Sequence, residues 1–347
     1  MEYGWFDSGC YTPEELIMAA GFTPRRVLGT PGTPTTAADE WVQQTHCFLA
    51  RAALDAAIRG EFEGLAGVVM THGCDVTSRE YDLWHAHAKV RALHYLNVPL
   101  KTDAVAERFY LKELRRFKQH LEELSGRPVE SDAIDGAIDL LNEMRATLRA
   151  IDELRARDPP KVRASELFHL VKAAQFEDKA TVVPRLRRSL EEFEARADAG
   201  APDGARVLLT GTLVDTPELF EMIEAAGMEV VADDLDVGRD YYSFSVEKTG
   251  RPLKDLAHGY LSKTPNATKH PPDGRLEALV KLARERNVRG VIYEAVKFCE
   301  PYLYDSVFVT NYFKENEGLP VLFVEREYGP QGLSQLRTRL EAFKEVL

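Results

Sequence analysis

Gly67-Val68-Val69-Met70-Thr71-His72-Gly73-Cys74-Asp75 reads as a short buried strand that runs into a loop ending in a cysteine and an acid. A second stretch, Gly290-Val291-Ile292-Tyr293-Glu294-Ala295-Val296-Lys297-Phe298-Cys299-Glu300, has the same layout. Four to seven apolar or β-branched residues bounded by glycine are the mark of a strand buried on both faces, as in a parallel sheet. Each strand delivers one cysteine just past its C-terminal end, in a chain with only four cysteines. The place where the two strand ends meet is therefore the expected centre of the molecule.

Working outward, the segments around each stretch alternate between strand and helix. In the first run, a helix is expected over 12–20, with Thr12 as cap, Pro13 in the first turn and Glu15 completing a capping box. A strand at 25–28, a Gly/Pro/Thr loop over 29–36, and a long helix over 38–59 carrying Cys47 follow. The strand at 66–70 leads to Cys74, and a helix over 81–90 and a strand at 92–96 complete the run. A second alternation begins at Ala205, with strands expected at 206–209, 229–232, 290–294 and 320–324. Helices are expected at 253–261, 275–286, 302–316 and from about Ser334. Between the two runs, long charged amphipathic helices, for example 106–124 and 132–157, show no strand pattern. This gives an α/β fold of two flavodoxin-like or Rossmann-like parallel-sheet lobes (1–100 and 205–347) joined by a helical connector (101–204).

The two runs also resemble each other. Thr12-Pro13-Glu14-Glu15 opens a helix closed by Gly21, and Thr216-Pro217-Glu218 opens one closed by Gly227. In open α/β sheets ligands bind beyond the carboxyl ends of the strands. If the lobes face each other, Cys74 and Cys299 line one cleft.

Composition narrows the function classes. The 347 residues are 44% hydrophobic, enough for sizeable cores, and the net charge is −12, which argues against a broad nucleic-acid surface. Cysteines at 10, 47, 74 and 299 form no Cys-x-x-Cys pair and are too few for a disulfide scaffold. No basic N-terminal region precedes an apolar run, and no apolar stretch nears the ~20 residues of a membrane span, so a cytoplasmic protein is expected. A P-loop, a Gly-x-Ser-x-Gly elbow and a His-Glu-x-x-His pair are missing from the sequence. His85 and His87, two apart on a helix, face different sides.

Three dispersed thiols could hold an iron–sulfur cluster, a zinc ion, or nothing, since free cysteines often serve as small buried hydrophobes. Any metal site would have to be assembled by the fold. Glu14, His46 and His72 are the candidate proton-transfer groups. Each also has an ordinary structural reading: Glu14 as a first-turn acid favoured by the helix dipole, the histidines as hydrogen-bonding neighbours of the cysteines.

Tyr11-Thr12-Pro13-Glu14-Glu15-Leu16, Ala19-Ala20-Gly21-Phe22, Cys47-Phe48-Leu49-Ala50-Arg51 and His72-Gly73-Cys74-Asp75 resemble the benzoyl-CoA reductase / 2-hydroxyacyl-CoA dehydratase family, of the D-component or small-subunit type. So do Val207–Gly211, Val231–Leu235, Lys297-Phe298-Cys299-Glu300-Pro301 and Arg337–Phe343, so the likeness covers nearly the whole chain. The resemblance implies a [4Fe–4S] cluster held by Cys47, Cys74 and Cys299, with one iron left open. It implies an anaerobic, low-potential redox function. An ATP-hydrolysing activator supplies an electron, and the thioester carbonyl of an acyl-CoA substrate becomes a ketyl radical anion on the way to dehydration or ring reduction. The lack of a P-loop agrees with ATP being handled by that partner. A homologous second subunit, in a heterodimer or homodimer, is also implied. Two departures stand out: Cys10 is displaced by about a residue from the family's usual cysteine near the Tyr-x-Pro-Glu-Glu motif, and Asn266 stands where relatives often carry another. A relay or reductase subunit of the same family acting on a different small substrate, and a non-enzymatic assembly subunit with merely buried cysteines, are the competing readings.

Overall fold

The computed structural model describes residues 1–197, 204–328 and 333–347. The last residues of the expected connector, 198–203, lie outside the described residues.

Two four-stranded parallel sheets form the frame. The first is built from β1 (Glu2–Phe6), β2 (Thr23–Arg26), β3 (Val68–Thr71) and β4 (Leu93–Leu96), in the order β2-β1-β3-β4. The second uses β5 (Ala205–Gly211), β6 (Met228–Asp233), β7 (Gly290–Val296) and β8 (Val321–Arg326), in the order β6-β5-β7-β8. Numbered within each sheet, both orders are 2-1-3-4, so the internal likeness of the two runs is a likeness of topology. The chain runs outward from the first strand to the second, then crosses back to the third. That reversal leaves a crevice between the first and third strands at their carboxyl edge, where ligands of such folds sit.

The sequence pattern does not predict β1. Glu2-Tyr-Gly-Trp-Phe is short and interrupted by Gly4, yet it lies beside β3 at the centre of its sheet and is buried on both faces. The glycine is there for space: a Cβ on Gly4 would come within 2.7 Å of Val27 and 2.9 Å of Leu65.

Thirteen helices among the described residues surround the sheets. In the first run these are α1 (Glu14–Ala19), α2 (Phe48–Ile58) and α3 (Asp75–His87). The intervening helices are α4 (Ala104–Ser125), α5 (Ser131–Arg155), α6 (Ala164–Phe176) and α7 (Lys179–Ala195). The second run contributes α8 (Glu218–Ala225), α9 (Arg239–Tyr242), α10 (Pro252–Ser262), α11 (Asp273–Glu285), α12 (Glu300–Asn316) and α13 (Leu333–Lys344). The largest apolar cluster runs without a break from Tyr3, Trp5 and Leu16 through Leu114, Leu141, Val171 and Leu186 to Val207, Ile292 and Val324. The four intervening helices therefore share one core with both sheets, and each large apolar side chain fully buried there contributes about 1.5–3 kcal/mol.

Three helix starts differ from expectation: α3 begins at Asp75, capped by Cys74, rather than at 81, and the other two differ for local reasons. The helix expected over 38–59 is broken: a 3-10 turn at Ala38–Glu40 is followed by irregular chain, and α2 begins only at Phe48. The Asp55 carboxylate accepts the amides of Ala37 and Ala38, and Arg51 donates to the Gln44 carbonyl and to Thr35. Polar side chains of α2 thus fold the preceding segment back upon it. Cys47 is consequently the N-cap of a helix rather than a residue within one. At α1 the capping box is not formed. Pro13 is the N-cap, the Thr12 amide and hydroxyl both donate to Asp7, and Glu15 pairs elsewhere.

Candidate functional site: three thiols at three helix starts

Three segments far apart in sequence bring their cysteines to one place. Cys47 caps α2, Cys74 caps α3 directly after β3, and Cys299 caps α12 after β7. All three are partly buried and line one cavity of about 310 Å³, together with His72, Gly73, Leu100, Thr268, Phe298 and Tyr304. Cys74 and Cys299 follow the third strand of their respective sheets, so the cavity opens at the crevice that the strand order creates.

The loops that deliver the thiols are tightly built. In the first, the Thr77 hydroxyl accepts the amides of Gly73 and Cys74 at 3.0 and 2.9 Å, which fixes the first turn of α3. Gly73 is needed because Ser8, leaving β1, packs against its Cα: a Cβ there would lie 2.1 Å from the Ser8 hydroxyl. In the second, Phe298 adopts φ +65°, a left-handed conformation that strains a bulky residue. That turn, closed by Cys299 N–H to the Val296 carbonyl, aims the thiol into the cavity and leaves the phenyl ring exposed on its lip.

Burial pushes the Cys47 thiol up to about 11; the Ala50 amide pulls it down and the neighbouring Cys74 raises it further. Cys299 is pushed well up by burial and then by Cys47 and Cys74, with the Tyr302 amide acting in the opposite sense. The thiols therefore sense one another's charge across the cavity. As three thiolates they require a cationic group between them, and helix-start amides favour the residual negative charge of such an assembly. Among the described residues no three His, Cys, Asp or Glu side chains converge on a single-ion site. Three thiols around one cavity are donors of the kind that hold iron–sulfur groups.

The other sequence candidates divide. His72 lines the cavity, and its Nδ1 is held by the Asn97 side chain at 3.2 Å. His46 is not among the lining residues. Its Nε2 lies 2.8 Å from Glu80, a buried acid that also accepts from Trp84 and whose carboxyl is raised by burial. Glu14 is 1% exposed and lies in the interior, paired with Lys179 and hydrogen-bonded by Trp5 and Tyr241, away from the cavity lining. Cys10 is buried with φ +53°, its thiol donating to the Asp236 carbonyl at 3.3 Å, and does not line the cavity. Asn266 donates to the Ser8 carbonyl, while the following Ala267 and Thr268 reach the cavity wall.

Sequence reasoning missed several members. Leu100 and Tyr304 form apolar parts of the wall and carry no motif. Behind the lining, Glu294 lies fully buried within β7, the strand that leads to Cys299, and is bonded to Thr212 and Arg326. An acid in the middle of an apolar strand was the available sign of it.

The family model for the 2-hydroxyglutaryl-CoA dehydratase D-component matches residues 9–347. The chain is 26% identical to the (R)-phenyllactyl-CoA dehydratase beta subunit of Clostridium sporogenes over 343 residues, covering 98% of this chain and 91% of that one. It is 26% identical to a benzoyl-CoA reductase subunit of Thauera aromatica over 317 residues, 88% of this chain and 81% of that one. It is 25% identical to the (R)-2-hydroxyglutaryl-CoA dehydratase beta subunit of Acidaminococcus fermentans over 350 residues, covering 98% and 92%. With the match running from just after the first strand to the C-terminal residue, the chain belongs to the 2-hydroxyglutaryl-CoA dehydratase D-component family.

Proposed function

We propose that this chain is the iron–sulfur subunit of a 2-hydroxyacyl-CoA dehydratase or benzoyl-CoA-type reductase. The observation that carries the reading is the convergence of Cys47, Cys74 and Cys299, from three helix starts, on one cavity. They would hold a [4Fe–4S] cluster. When bound, that group supplies low-potential one-electron chemistry, fed by an ATP-dependent activator and directed to an acyl-CoA thioester.

The chain's own residues supply the rest. Leu100, Phe298 and Tyr304 give the cavity apolar walls. His72, with Nδ1 held by Asn97, keeps Nε2 to exchange a proton with a ligand in the cavity. A homologous partner subunit would seat along α12, in keeping with relatives that are themselves named as subunits of larger enzymes. Tyr304, Val307 and Phe308 are 79%, 61% and 45% exposed on one stripe of that helix, and Tyr304 is also part of the cavity wall. No described helix is long and apolar enough to cross a membrane, and four free thiols suit a reducing cytoplasm.

The test is anaerobic purification or reconstitution with iron and sulfide analysis. About four iron and four sulfide per chain are expected for a cluster of this type. Metal-free protein that stays fully stable under those conditions would sink the reading. Co-purification with a homologous larger subunit, lost on Val307→Glu, is expected for the partner.

A further inference from the structure

We infer that Glu14 and Glu15 are positioning residues: a two-pronged key at the start of α1 that sets how the two sheets face each other, and with it the separation of Cys74 from Cys299. This holds whether or not the thiols carry a metal.

The two side chains enter different sockets. Glu14 Oε1 meets Lys179 Nζ of α7 at 2.8 Å and Trp5 Nε1 of β1 at 3.1 Å, while Oε2 accepts the Tyr241 hydroxyl of α9. Glu15 Oε1 accepts from Arg145 Nη1 of α5 at 2.9 Å, and Oε2 accepts the Tyr260 hydroxyl of α10 at 2.8 Å. Arg145 closes the triangle by donating to the Tyr260 oxygen at 2.9 Å. Every carboxylate oxygen is occupied, and the four charged side chains are at most 1% exposed. The pair thus has no oxygen left for a substrate proton. Each glutamate instead joins the first sheet's α1 to one of the intervening helices and to one helix of the second run.

The key connects to the thiols through the segment just before it. Ser8, after β1, packs against Gly73 in the loop that carries Cys74. From the other side, Asn266 donates to the Ser8 carbonyl and Lys263 to the Gly9 carbonyl, while the Gly9 amide donates to Asp236. Residues 8 and 9 are therefore a spacer between the Cys74 loop and the second run's 263–268 loop, whose Ala267 and Thr268 share the cavity wall with Cys299. Holding α1 holds this spacer. A buried ion pair is a weak source of net stability, but its directional bonds, which occupy every oxygen of both glutamates, select one geometry over near alternatives. The equivalent helix of the second run has no such key: at α8 Glu218 is exposed and Leu219 joins the apolar core.

The test reads distance rather than activity. In a Cys10→Ser, Cys47→Ser background, nitroxide labels on Cys74 and Cys299 report their separation by dipolar broadening of the continuous-wave EPR spectrum, with no metal present. The parent should give one narrow distance. Glu14→Gln and Glu15→Gln should shift it to longer values and broaden it while unfolding stays cooperative; Glu218→Gln should leave it unchanged. Should a glutamine variant fail to fold, Tyr241→Phe and Tyr260→Phe decide, since each removes one hydroxyl and no charge. An unchanged distance in the folded variants, or an equal change in Glu218→Gln, overturns the proposal. Iron content is read separately, so failure here leaves the proposed cluster untouched, and loss of the cluster leaves this result standing.

Discussion

The two sheets are built to the same plan and used differently. Both have strand order 2-1-3-4, and in both the third strand ends in a cysteine that caps the next helix. The repeat alone would therefore give a symmetric pair of thiols. Cys47 has no counterpart: the segment joining β6 to β7 carries α9, α10 and α11 but no cysteine. The loops differ too. The first makes its turn with Gly73, closely packed on Ser8; the second with Phe298 in a left-handed conformation. The helix after the first strand begins with two buried, fully bonded glutamates in one lobe and with an exposed glutamate and a core leucine in the other. A repeat supplies equivalent positions, and divergence at a few of them makes an odd set of three thiols and an asymmetric mouth.

Experiments that make the lobes more alike test this directly. The largest effect is expected from the three cavity thiols: under the proposed function, Cys47→Ala, Cys74→Ala and Cys299→Ala should each abolish iron binding in reconstituted protein, and Cys10→Ala should not. Iron retained in Cys47→Ala alone would return the site to the two thiols of the repeat. Next, Glu15→Leu copies Leu219 into the first lobe and strands Arg145 as a buried unpaired charge. Urea unfolding should show a loss of about 3–5 kcal/mol, against less than about 0.5 kcal/mol for the exposed Glu218→Leu.

The outer strands give a smaller, pH-dependent difference. β4 carries His94, whereas β8 is apolar over Val321–Val324. Burial, then His120 and Arg116, hold the His94 imidazole down at about 3. Its folded value lies below its unfolded one, so the stability of the neutral form is present above pH ~6.5 and is lost as pH falls towards 3, by up to about 1.4 kcal/mol per pH unit. His94→Phe, stacking on Phe117 in its place, should flatten the acid limb of a melting-temperature profile. A parallel acid limb in the variant would exclude this residue as its source. Smallest of all, Phe298→Gly relieves the left-handed strain and should raise stability by about 1 kcal/mol in the metal-free protein, read by thermal melting. A loss instead would mean that the exposed ring is held by contacts worth more than the strain.

Much of this is legible in the sequence because strands buried on both faces announce themselves as glycine-bounded apolar runs. Val68–Thr71 and Gly290–Val296 stand out that way, and with them two of the three thiols and the parallel α/β architecture. β1 does not, because Gly4 hides a strand whose need for glycine comes from Val27 and Leu65, residues distant in sequence. The start of α2 escapes the sequence for the same kind of reason. No glycine or proline interrupts 41–47, and only the bonds from Asp55 and Arg51 show why the helix does not run through it. Glu14 and Glu15 read as first-turn acids, since helical position is local information; Arg145 and Tyr260, which hold Glu15, lie 130 and 245 residues away from it. By itself, then, the sequence determined the alternation of strands and helices and which cysteines end strands, because these follow from short-range periodicity and turn chemistry. Tertiary structure alone decided that Cys47 stands at a helix start and that the paired glutamates face inward, because both depend on which distant side chains fill the space and satisfy the charge around them.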